Sequence, residues 1–298
     1  FSLLKLQAKE FFYLGCDLVI RIGLTGWTDH DFLAGVPAKN KLRAYSAHFP
    51  IVEVDTSFYA IQPEQSVQKW AAETPEHFGF IVKAYQGLTG HLRGRHPYSS
   101  LKEMFAAFRQ SLAPLIDTGK LVAVLFQYPP WFDVSREHVA ILRHTKAAME
   151  NVPAALEFRH QSWFAPEMRE KTLSFMEKEG WIHSICDEPQ AGLFSVPTVL
   201  KSTHSEAALV RFHGRNARGW NNSGGNDWRS VRYLYKYSMA ELEEWKDNLL
   251  MLAESVKNIY VLFNNNSGGD AAENARQLME LLNIDYVSQV PRQLSFFD

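Results

Sequence analysis

The stretch Ala154-Ala-Leu-Glu-Phe-Arg-His-Gln-Ser-Trp163 combines the pattern of a buried β-strand with a pair of opposite charges. Side chains alternate between the two faces of a strand, so Leu156 and Phe158 share one face. Glu157 and Arg159 share the other. Burial of an isolated charge is costly, and a carboxylate beside a guanidinium on one face therefore predicts a paired polar site. Other strands of the chain repeat this arrangement.

Short β-rich runs and helical patterns alternate along the whole chain. The predicted strands are 18–25, 51–58, 78–85, 121–128, 154–160, 181–187, 209–214 and 258–264. The predicted helices are 40–48, 64–73, 101–117, 136–149, 167–179, 239–256 and 271–282, and the link between the sixth and seventh strands lacks a convincing helix. Eight β-then-α units without a linker predict an α/β fold, a single (β/α)₈ TIM-type barrel, with a doubly wound open sheet as the alternative. We assign residues 18–288 to the barrel, 1–17 to an N-terminal extension and 289–298 to a short C-terminal tail.

Composition and charge restrict the class of protein without naming a partner. The chain has 298 residues, of which 46% are hydrophobic, and can bury a large core, while its net charge of −2 supplies no overall field for polyanions. Cys16 and Cys186 form neither a disulfide framework nor a zinc-type spacing, as expected in a reducing compartment. Lys5, Lys9 and Glu10 interrupt the first apolar residues, which argues against a signal peptide or a membrane span. We expect a cytoplasmic protein that does not bind membranes.

A ring of polar side chains follows from the alternation of residues along the predicted strands. The ring consists of Thr25, Glu53, Asp55, Lys83, Gln127, Glu157, Arg159, Asp187, Arg211, His213 and Asn264. Nearly all of them fall toward the C-terminal ends of their strands, which is where barrel enzymes build their sites. The ring therefore predicts a functional pocket inside the barrel, with the alternative that some of its pairs only close the barrel top.

Six motifs, in order along the chain, resemble those of the YecE-like proteins, a family defined by a domain of unknown function. They are Ile22-Gly-Leu-Thr-Gly-Trp27, Val52-Glu-Val-Asp-Thr-Ser-Phe-Tyr59, Phe126-Gln-Tyr-Pro-Pro130, Glu157-Phe-Arg-His-Gln-Ser-Trp163, Val210-Arg-Phe-His-Gly-Arg215 and Phe263-Asn-Asn265. The resemblance runs from about residue 20 to 282 and implies a TIM-type barrel, in agreement with the strand count. It implies no reaction, and the likeness of the family's barrel to the endonuclease IV and xylose isomerase group is weak support for any function.

Metal-dependent phosphodiester hydrolysis is the first chemistry that the ring suggests. Its candidate ligands for Mg²⁺ or Mn²⁺ are Glu53, Glu157, Asp187 and His213, and its candidate catalytic residues are Glu157, Asp187 and His213. Lys83, Arg159 and Arg211 would stabilise charge on phosphate oxygens. A zinc cluster of the endonuclease IV type is not expected, because His213 is the only histidine that we place on the ring.

A function directed at sugars is the alternative. Glycoside hydrolysis needs two carboxyl groups on either side of one bond, and Glu157 with Glu53 or Asp55 would supply them. The cationic lining suits an anionic ligand better than a neutral sugar, so binding of a sugar phosphate stays open.

Two loops add cations and aromatic rings near the predicted pocket. Residues 87–98 contain His91 and two arginines without an acid, and residues 215–229 mix three arginines with Trp220 and Trp228. Cations beside aromatic faces suit stacked bases with phosphates. A third segment, 265–270, is a candidate phosphate site at a predicted helix N-terminus, and the charge of Asp270 would weaken it. The predicted ligand-binding residues are Glu53, Asp55, Lys83, His91, Gln127, Arg159, Trp163, Arg211, Asn264 and Asn265.

The last residues of the chain carry a separate motif. Its members are Gln293, Leu294, Ser295, Phe296 and Phe297, and they resemble the short peptide with which bacterial DNA polymerases and repair proteins dock on the sliding clamp. Apolar side chains in such a peptide fill pockets at little ordering cost. The alternative is that both phenylalanines pack back onto the barrel.

These observations lead to three hypotheses. The first is a barrel that binds a phosphate-containing ligand, including DNA or RNA, and acts as a phosphodiesterase if it is an enzyme, with the tail joining it to replication or repair. The second is an enzyme acting on a sugar or sugar phosphate as isomerase or hydrolase. The third is a non-catalytic adaptor that works through its tail.

Overall fold

The computed structural model describes residues 19–92, 94–192, 195–221 and 231–286, and this part of the chain contains a closed barrel of parallel strands. The barrel closes because β1 pairs with β8 from Val19↔Asn258 to Leu24↔Phe263. The predicted TIM-type barrel is confirmed. Residues 1–17 and 289–298, including the motif at 293–297, lie outside the described residues. The strands are β1 Val19–Thr25, β2 Ile51–Val54, β3 Gly79–Lys83, β4 Leu121–Gln127, β5 Ala154–Glu157, β6 Ile182–Asp187, β7 Ala207–Phe212 and β8 Asn258–Phe263.

The helices surround the barrel and largely match those predicted. They are α1 Lys41–Tyr45, α2 Glu64–Glu73, α3 Leu101–Asp117, α4 Arg136–Ala148, α5 Arg169–Glu179, α6 Ala217–Asn221, α7 Met239–Ala253 and α8 Ala271–Leu281. The short α6 is not among the predicted helices, and the described residues between β6 and β7 contain no helix. Within the described ranges, no helix combines the length and the apolar character needed to cross a bilayer.

Capping interactions define several helix ends. At the start of α7, the Ser238 hydroxyl accepts a hydrogen bond from the Glu241 amide, and the Glu241 carboxylate accepts one from the Ser238 amide. This reciprocal pair satisfies two backbone donors that a helix start leaves open. At the end of α5, Gly180 has a φ of 69°, which favours glycine. Local sequence signals therefore place these helix ends.

Strands β2 and β5 are shorter than the predicted runs 51–58 and 154–160. After β2 the chain enters a 3₁₀ turn at Thr56–Phe58, in which the Ser57 hydroxyl lies 2.7 Å from the Val54 carbonyl and 2.6 Å from the Lys83 carbonyl. A side chain thus replaces the ladder at the strand end. After β5 a second 3₁₀ turn covers Gln161–Phe164. The two turns therefore set the direction of the side chains just beyond both strands.

The hydrophobic core has two layers, one on each face of the barrel wall. The inner layer fills the N-terminal half of the lumen, so the barrel is a packed core and not a pore. It consists of Ile51, Ile81, Ala123, Leu125, Ala155, Ile182, Ala207, Leu209 and Leu262. The outer layer lies between strands and helices and contains large buried rings, including Trp163, Trp181 and Trp245. Polar side chains of the inner parity lie above the inner layer, at the C-terminal mouth.

Tyr45 of α1 completes the wall between β1 and β2, whose ladder pairs only near the mouth, at Leu24↔Val52 and Thr25↔Glu53. The buried Tyr45 hydroxyl accepts a hydrogen bond from the Leu24 amide and donates one to the Ile51 carbonyl, both at 2.8 Å. It therefore satisfies two buried backbone groups that the ladder leaves open.

Candidate functional site

Glu157 at the end of β5 is the centre of a buried polar network. Its Oε1 accepts hydrogen bonds from Gln127 Nε2 at 2.9 Å and Arg159 Nη1 at 3.2 Å. Its Oε2 accepts from Arg211 Nη1 at 2.6 Å and Ser184 Oγ at 3.2 Å. Burial alone would raise its pKa, but the Arg211 charge leads the interactions that hold the pKa of Glu157 well below its usual range. Glu157 is therefore a carboxylate at neutral pH, with both oxygens engaged.

Arg211 of β7 joins Glu157 to Glu53 across the lumen. Its Nε and Nη2 donate to the two Glu53 oxygens at 2.9 Å and 2.6 Å, a bidentate geometry that suits a planar guanidinium. Both side chains are essentially inaccessible to solvent. Burial, followed in size by the opposing effect of Arg211, leaves the pKa of Glu53 raised to about 7. All three nitrogens of the Arg211 guanidinium thus donate hydrogen bonds to carboxylate oxygens.

Arg159 is paired with Glu157 and with Glu188, an acid that is not among the predicted site residues. Its Nη1 lies 3.0 Å from Glu188 Oε2, and its guanidinium lies 4.6 Å from the Trp220 ring centre. The other Glu188 oxygen accepts the Val196 amide at 2.6 Å. Burial raises the pKa of Glu188 to about 7 despite the Arg159 charge. Glu188 follows β6 directly and belongs to the lumen.

His213 is a neutral, hydrogen-bonded lumen histidine. Asn264 Nδ2 lies 3.1 Å from His213 Nδ1, while Nε2 lies 3.3 Å from Arg211 Nη1 and 3.5 Å from Glu157 Oε1. Burial, and then the Arg211 charge, lower the pKa of His213 to about 3. A group of such low basicity is a poor proton acceptor at neutral pH, so the geometry favours a structural role over the predicted acid–base role.

Asp187 does not lie with the other predicted catalytic residues. Its carboxylate binds Arg215 Nε and Nη2 at 2.9 Å and 2.8 Å and accepts the indole N–H of Trp245, a residue of α7. The prediction that Asp187 faces the lumen is therefore wrong, because its side chain lies on the opposite face of β6. All six β6 residues are buried, so alternation of burial gave no signal for the inner face. The residues of β6 that face the lumen are Ile182, Ser184 and Cys186, followed by Glu188.

Trp163 and Asn265 also lie away from the mouth, contrary to the expected ligand contacts. The Trp163 indole donates to the Phe132 carbonyl at 2.7 Å and stacks on Phe158 at 4.1 Å, within the outer core. Asn265 donates to the Tyr235 carbonyl at 2.9 Å and is completely buried. Both residues stabilise loops and outer packing. A loop tryptophan or asparagine in a sequence does not reveal which side of the wall it occupies.

The remaining predicted residues meet at the mouth. Lys83 Nζ lies 3.2 Å from Asp55 Oδ1 and 5.1 Å from the Phe58 ring centre, and the Lys83 side chain is 15% exposed. His91 accepts or donates a hydrogen bond at 2.8 Å with Thr89 Oγ1. We call the following residues the mouth cluster: Glu53, Asp55, Lys83, Gln127, Glu157, Arg159, Ser184, Glu188, Arg211, His213 and Asn264.

The predicted divalent-metal site is not assembled. Among the described residues, the group whose ligand atoms lie within 4.8 Å of one another is Glu157, Cys186 and His213. Mg²⁺ and Mn²⁺ prefer oxygen ligands, and burial raises the pKa of the Cys186 thiol well above its usual value. The Arg211 guanidinium already occupies the space between Glu157 and His213. These residues therefore do not fit the Mg²⁺ or Mn²⁺ that the sequence suggested.

Comparison with known proteins identifies the family and several relatives of this chain. The family model described as "Protein of unknown function DUF72" matches residues 21–295. The chain belongs to the DUF72 family. The resemblance to YecE-like proteins is thus confirmed. The UPF0759 protein YunF of Bacillus subtilis (strain 168) is 58% identical over 282 residues, 94% of this chain and 100% of that protein. The UPF0759 protein YecE of Escherichia coli (strain K12) is 27% identical over 157 residues, 52% of this chain and 54% of that protein.

Solved structures of DUF72 proteins share the barrel. One from Enterococcus faecalis V583 is 39% identical, has a TM-score of 0.87 and is matched over 93% of this chain and 100% of that one. Another, from Thermotoga maritima MSB8, is 30% identical with a TM-score of 0.74, over 89% and 99% of the two chains.

Proposed function

We propose that the mouth cluster binds a phosphate-containing ligand. The observation that carries the proposal is the charge balance at the mouth. Four acids, Glu53, Asp55, Glu157 and Glu188, face four bases, Lys83, Arg159, Arg211 and the adjacent Arg232. Burial raises the pKa of Glu53 and of Glu188 to about 7, so both are partly protonated at neutral pH. Together with the Lys83 ammonium, which reaches the surface at the mouth, this protonation makes the mouth more positive than four acids and four bases alone would, which favours an anion.

Lys83 is the cation best placed to touch that anion. Arg159 and Arg211 are almost completely buried and bound to carboxylates, so their contribution is a field from below the ligand. Lys83 reaches the mouth, with its Asp55 partner 42% exposed. An arriving phosphate competes with Asp55 for the Lys83 ammonium. This changes the role expected from the sequence, in which both arginines held phosphate oxygens.

Calorimetric titration with ribose 5-phosphate and with unphosphorylated ribose tests the proposal. We expect only the phosphorylated sugar to bind, and we expect Lys83→Gln to weaken it about ten- to a hundredfold, the scale of a hydrogen bond to a charged group. The matched control is Lys69→Gln, because Lys69 also pairs with an acid, Glu73 at 3.5 Å, but on the outer surface of α2. Equal affinity for both sugars, or equal loss in both variants, would contradict the proposal.

A second function, catalysis on a sugar phosphate, is favoured by the buried acids. Carboxyl groups with a pKa of about 7 can give and take protons at neutral pH, and Glu53 and Glu188 are such groups; because both are buried below the ligand, they would exchange protons with it through a bridging water. Incubation of sugar phosphates with the protein in D₂O would reveal proton exchange by NMR, and Glu188→Gln should abolish it. Phosphodiester hydrolysis, assayed with a chromogenic diester, would use the same two acids in place of a metal. Turnover that survives both Glu53→Gln and Glu188→Gln would refute acid–base chemistry at the mouth.

We also propose, from sequence alone, that residues 293–297 bind the bacterial sliding clamp in the cytoplasm. Calorimetry of the full chain and of a chain ending at Arg292 against purified clamp tests this. Binding on the micromolar scale, about −8 kcal/mol, is expected for the full chain only. Equal binding by both chains, or none by the full chain, would contradict it.

A further inference from the structure

A continuous run of aromatic rings borders the mouth beside Lys83. Tyr59 and Phe58 have ring centres 5.3 Å apart, Phe58 and His91 are 5.1 Å apart, and His91 and Trp131 are 5.9 Å apart. The two rings at the ends of the run are exposed, Tyr59 by 55% and Trp131 by 52%. We call these four residues the rim rings.

The rim rings come from three different connections, after β2, β3 and β4. Large aromatic side chains are usually well buried, and exposed ones gathered at one place mark a binding surface more often than they occur by chance. The barrel core does not require Tyr59 or Trp131 to be where they are, because each leaves about half of its surface in solvent. Their convergence at the mouth is therefore a feature of the site.

The charges beside the rim rings indicate whether a nucleotide or a neutral sugar is the better ligand. Lys83 Nζ lies 5.1 Å from the Phe58 ring centre, so a cation stands directly beside the run. Burial, and then the Lys83 charge, lower the pKa of His91 to about 4, so its ring is neutral at neutral pH. A neutral run of rings with a cation at its side matches a planar base joined to a phosphate. A neutral sugar would stack on the rings but would not use the cation.

We propose that the rim rings stack against the base of a nucleotide whose phosphate lies at Lys83. This inference rests on the proposed phosphate site and deepens it by naming the ligand class. Every base offers a π face, so the rings accept nucleotides without strong preference for sequence. The two exposed rings lie at opposite ends of the run, which leaves room for more than one base. The same chemistry is presented by a free nucleotide and by a single strand of DNA or RNA.

Fluorescence anisotropy with a labelled thymidine oligonucleotide of about ten residues tests the proposal, with thymidine 5′-monophosphate, thymidine and ribose 5-phosphate as competitors. We expect Trp131→Ala and Tyr59→Ala each to weaken oligonucleotide binding about tenfold, the scale of one lost stacking contact. Both side chains are exposed, so the variants should fold, which circular dichroism checks. The matched control is Met251→Ala, since Met251 is 59% exposed on α7.

The competitors show whether the ligand is a free nucleotide or a single strand. They also separate this proposal from the phosphate-site proposal on which it rests. An oligonucleotide that binds at least a hundredfold more tightly than the mononucleotide identifies a single strand, and comparable affinities identify a free nucleotide; either result supports the rim rings. If ribose 5-phosphate binds through Lys83 but the ring variants behave like Met251→Ala, the phosphate site stands and the ring proposal is overturned. If neither nucleotide nor ribose 5-phosphate binds, both proposals fail.

Discussion

Removal of Arg211 is the most informative perturbation of the mouth cluster. Arg211→Met deletes three hydrogen bonds to carboxylates, at 2.9, 2.6 and 2.6 Å, and leaves Glu53 and Glu157 without their shared counter-ion. Both carboxylates are inaccessible to solvent. Breaking a buried pair by removing one partner costs about 3–5 kcal/mol, and we expect a loss of that size in the free energy of unfolding.

The loss should depend on pH in a definite direction. Without Arg211 the pKa of Glu53 should rise above about 7, and the pKa of Glu157 should rise from its depressed value, so the folded state binds protons that the unfolded state has released. The variant is therefore relatively more stable at low pH, and its deficit should grow between about pH 6 and about pH 8.

Urea unfolding followed by circular dichroism at both pH values measures this effect. The control is Arg143→Met, because Arg143 pairs with Glu179 at 2.9 Å but is 61% exposed, so its loss should stay below about 1 kcal/mol. A deficit for Arg211→Met as small as that of Arg143→Met, or one that does not change with pH, would refute the description of the mouth cluster as a buried, mutually dependent ion network.

Three further predictions concern single residues. Tyr45→Phe should lower the free energy of unfolding by about 2–4 kcal/mol in urea denaturation, because two buried backbone groups lose their partner, and an unchanged midpoint would contradict this. Glu188 should make a contribution to the unfolding free energy that falls as pH rises from about 4.5 to about 7, because an acid with a raised pKa holds its proton longer in the folded state; the unfolding free energy of the native protein minus that of Glu188→Gln should therefore fall by on the order of 1–3 kcal/mol over this range, and a difference that does not change with pH would speak against a protonated Glu188. Asp187→Asn should reduce stability through Arg215 but leave the affinity for ribose 5-phosphate unchanged within about twofold, and a large loss of affinity would return Asp187 to the site.

The barrel and its helices were predictable because their signals are local. The α2 and α3 helices begin and end where the sequence places them, and Ser100 caps α3 through the Glu103 amide as the spacing predicts. The alternation of short apolar runs with helical patterns was sufficient for the strand count. Strand ends were less predictable, since the end of β2 depends on a Ser57 hydroxyl that also contacts the Lys83 carbonyl of the next strand.

The candidate site was only partly predictable, because its ion pairs join residues that are far apart in the sequence. Glu157, Arg159 and Arg211 meet as the strand parity indicated. Nothing in the sequence says that Arg211 binds Glu53, which is 158 residues away, or that both buried arginines are paired with carboxylates. The wrong face for β6 has a physical origin, because a strand buried on both sides carries no alternation. The acid pair Asp187-Glu188 at the strand end was the one available signal for Glu188.

A crystal structure of the protein with thymidine 5′-monophosphate would show where the phosphate and the base bind. We expect a phosphate within hydrogen-bonding distance of Lys83 Nζ and a base stacked against the rim rings. A nucleotide bound instead at the N-terminus of α8, or anywhere that leaves Lys83 paired with Asp55 alone, would contradict it.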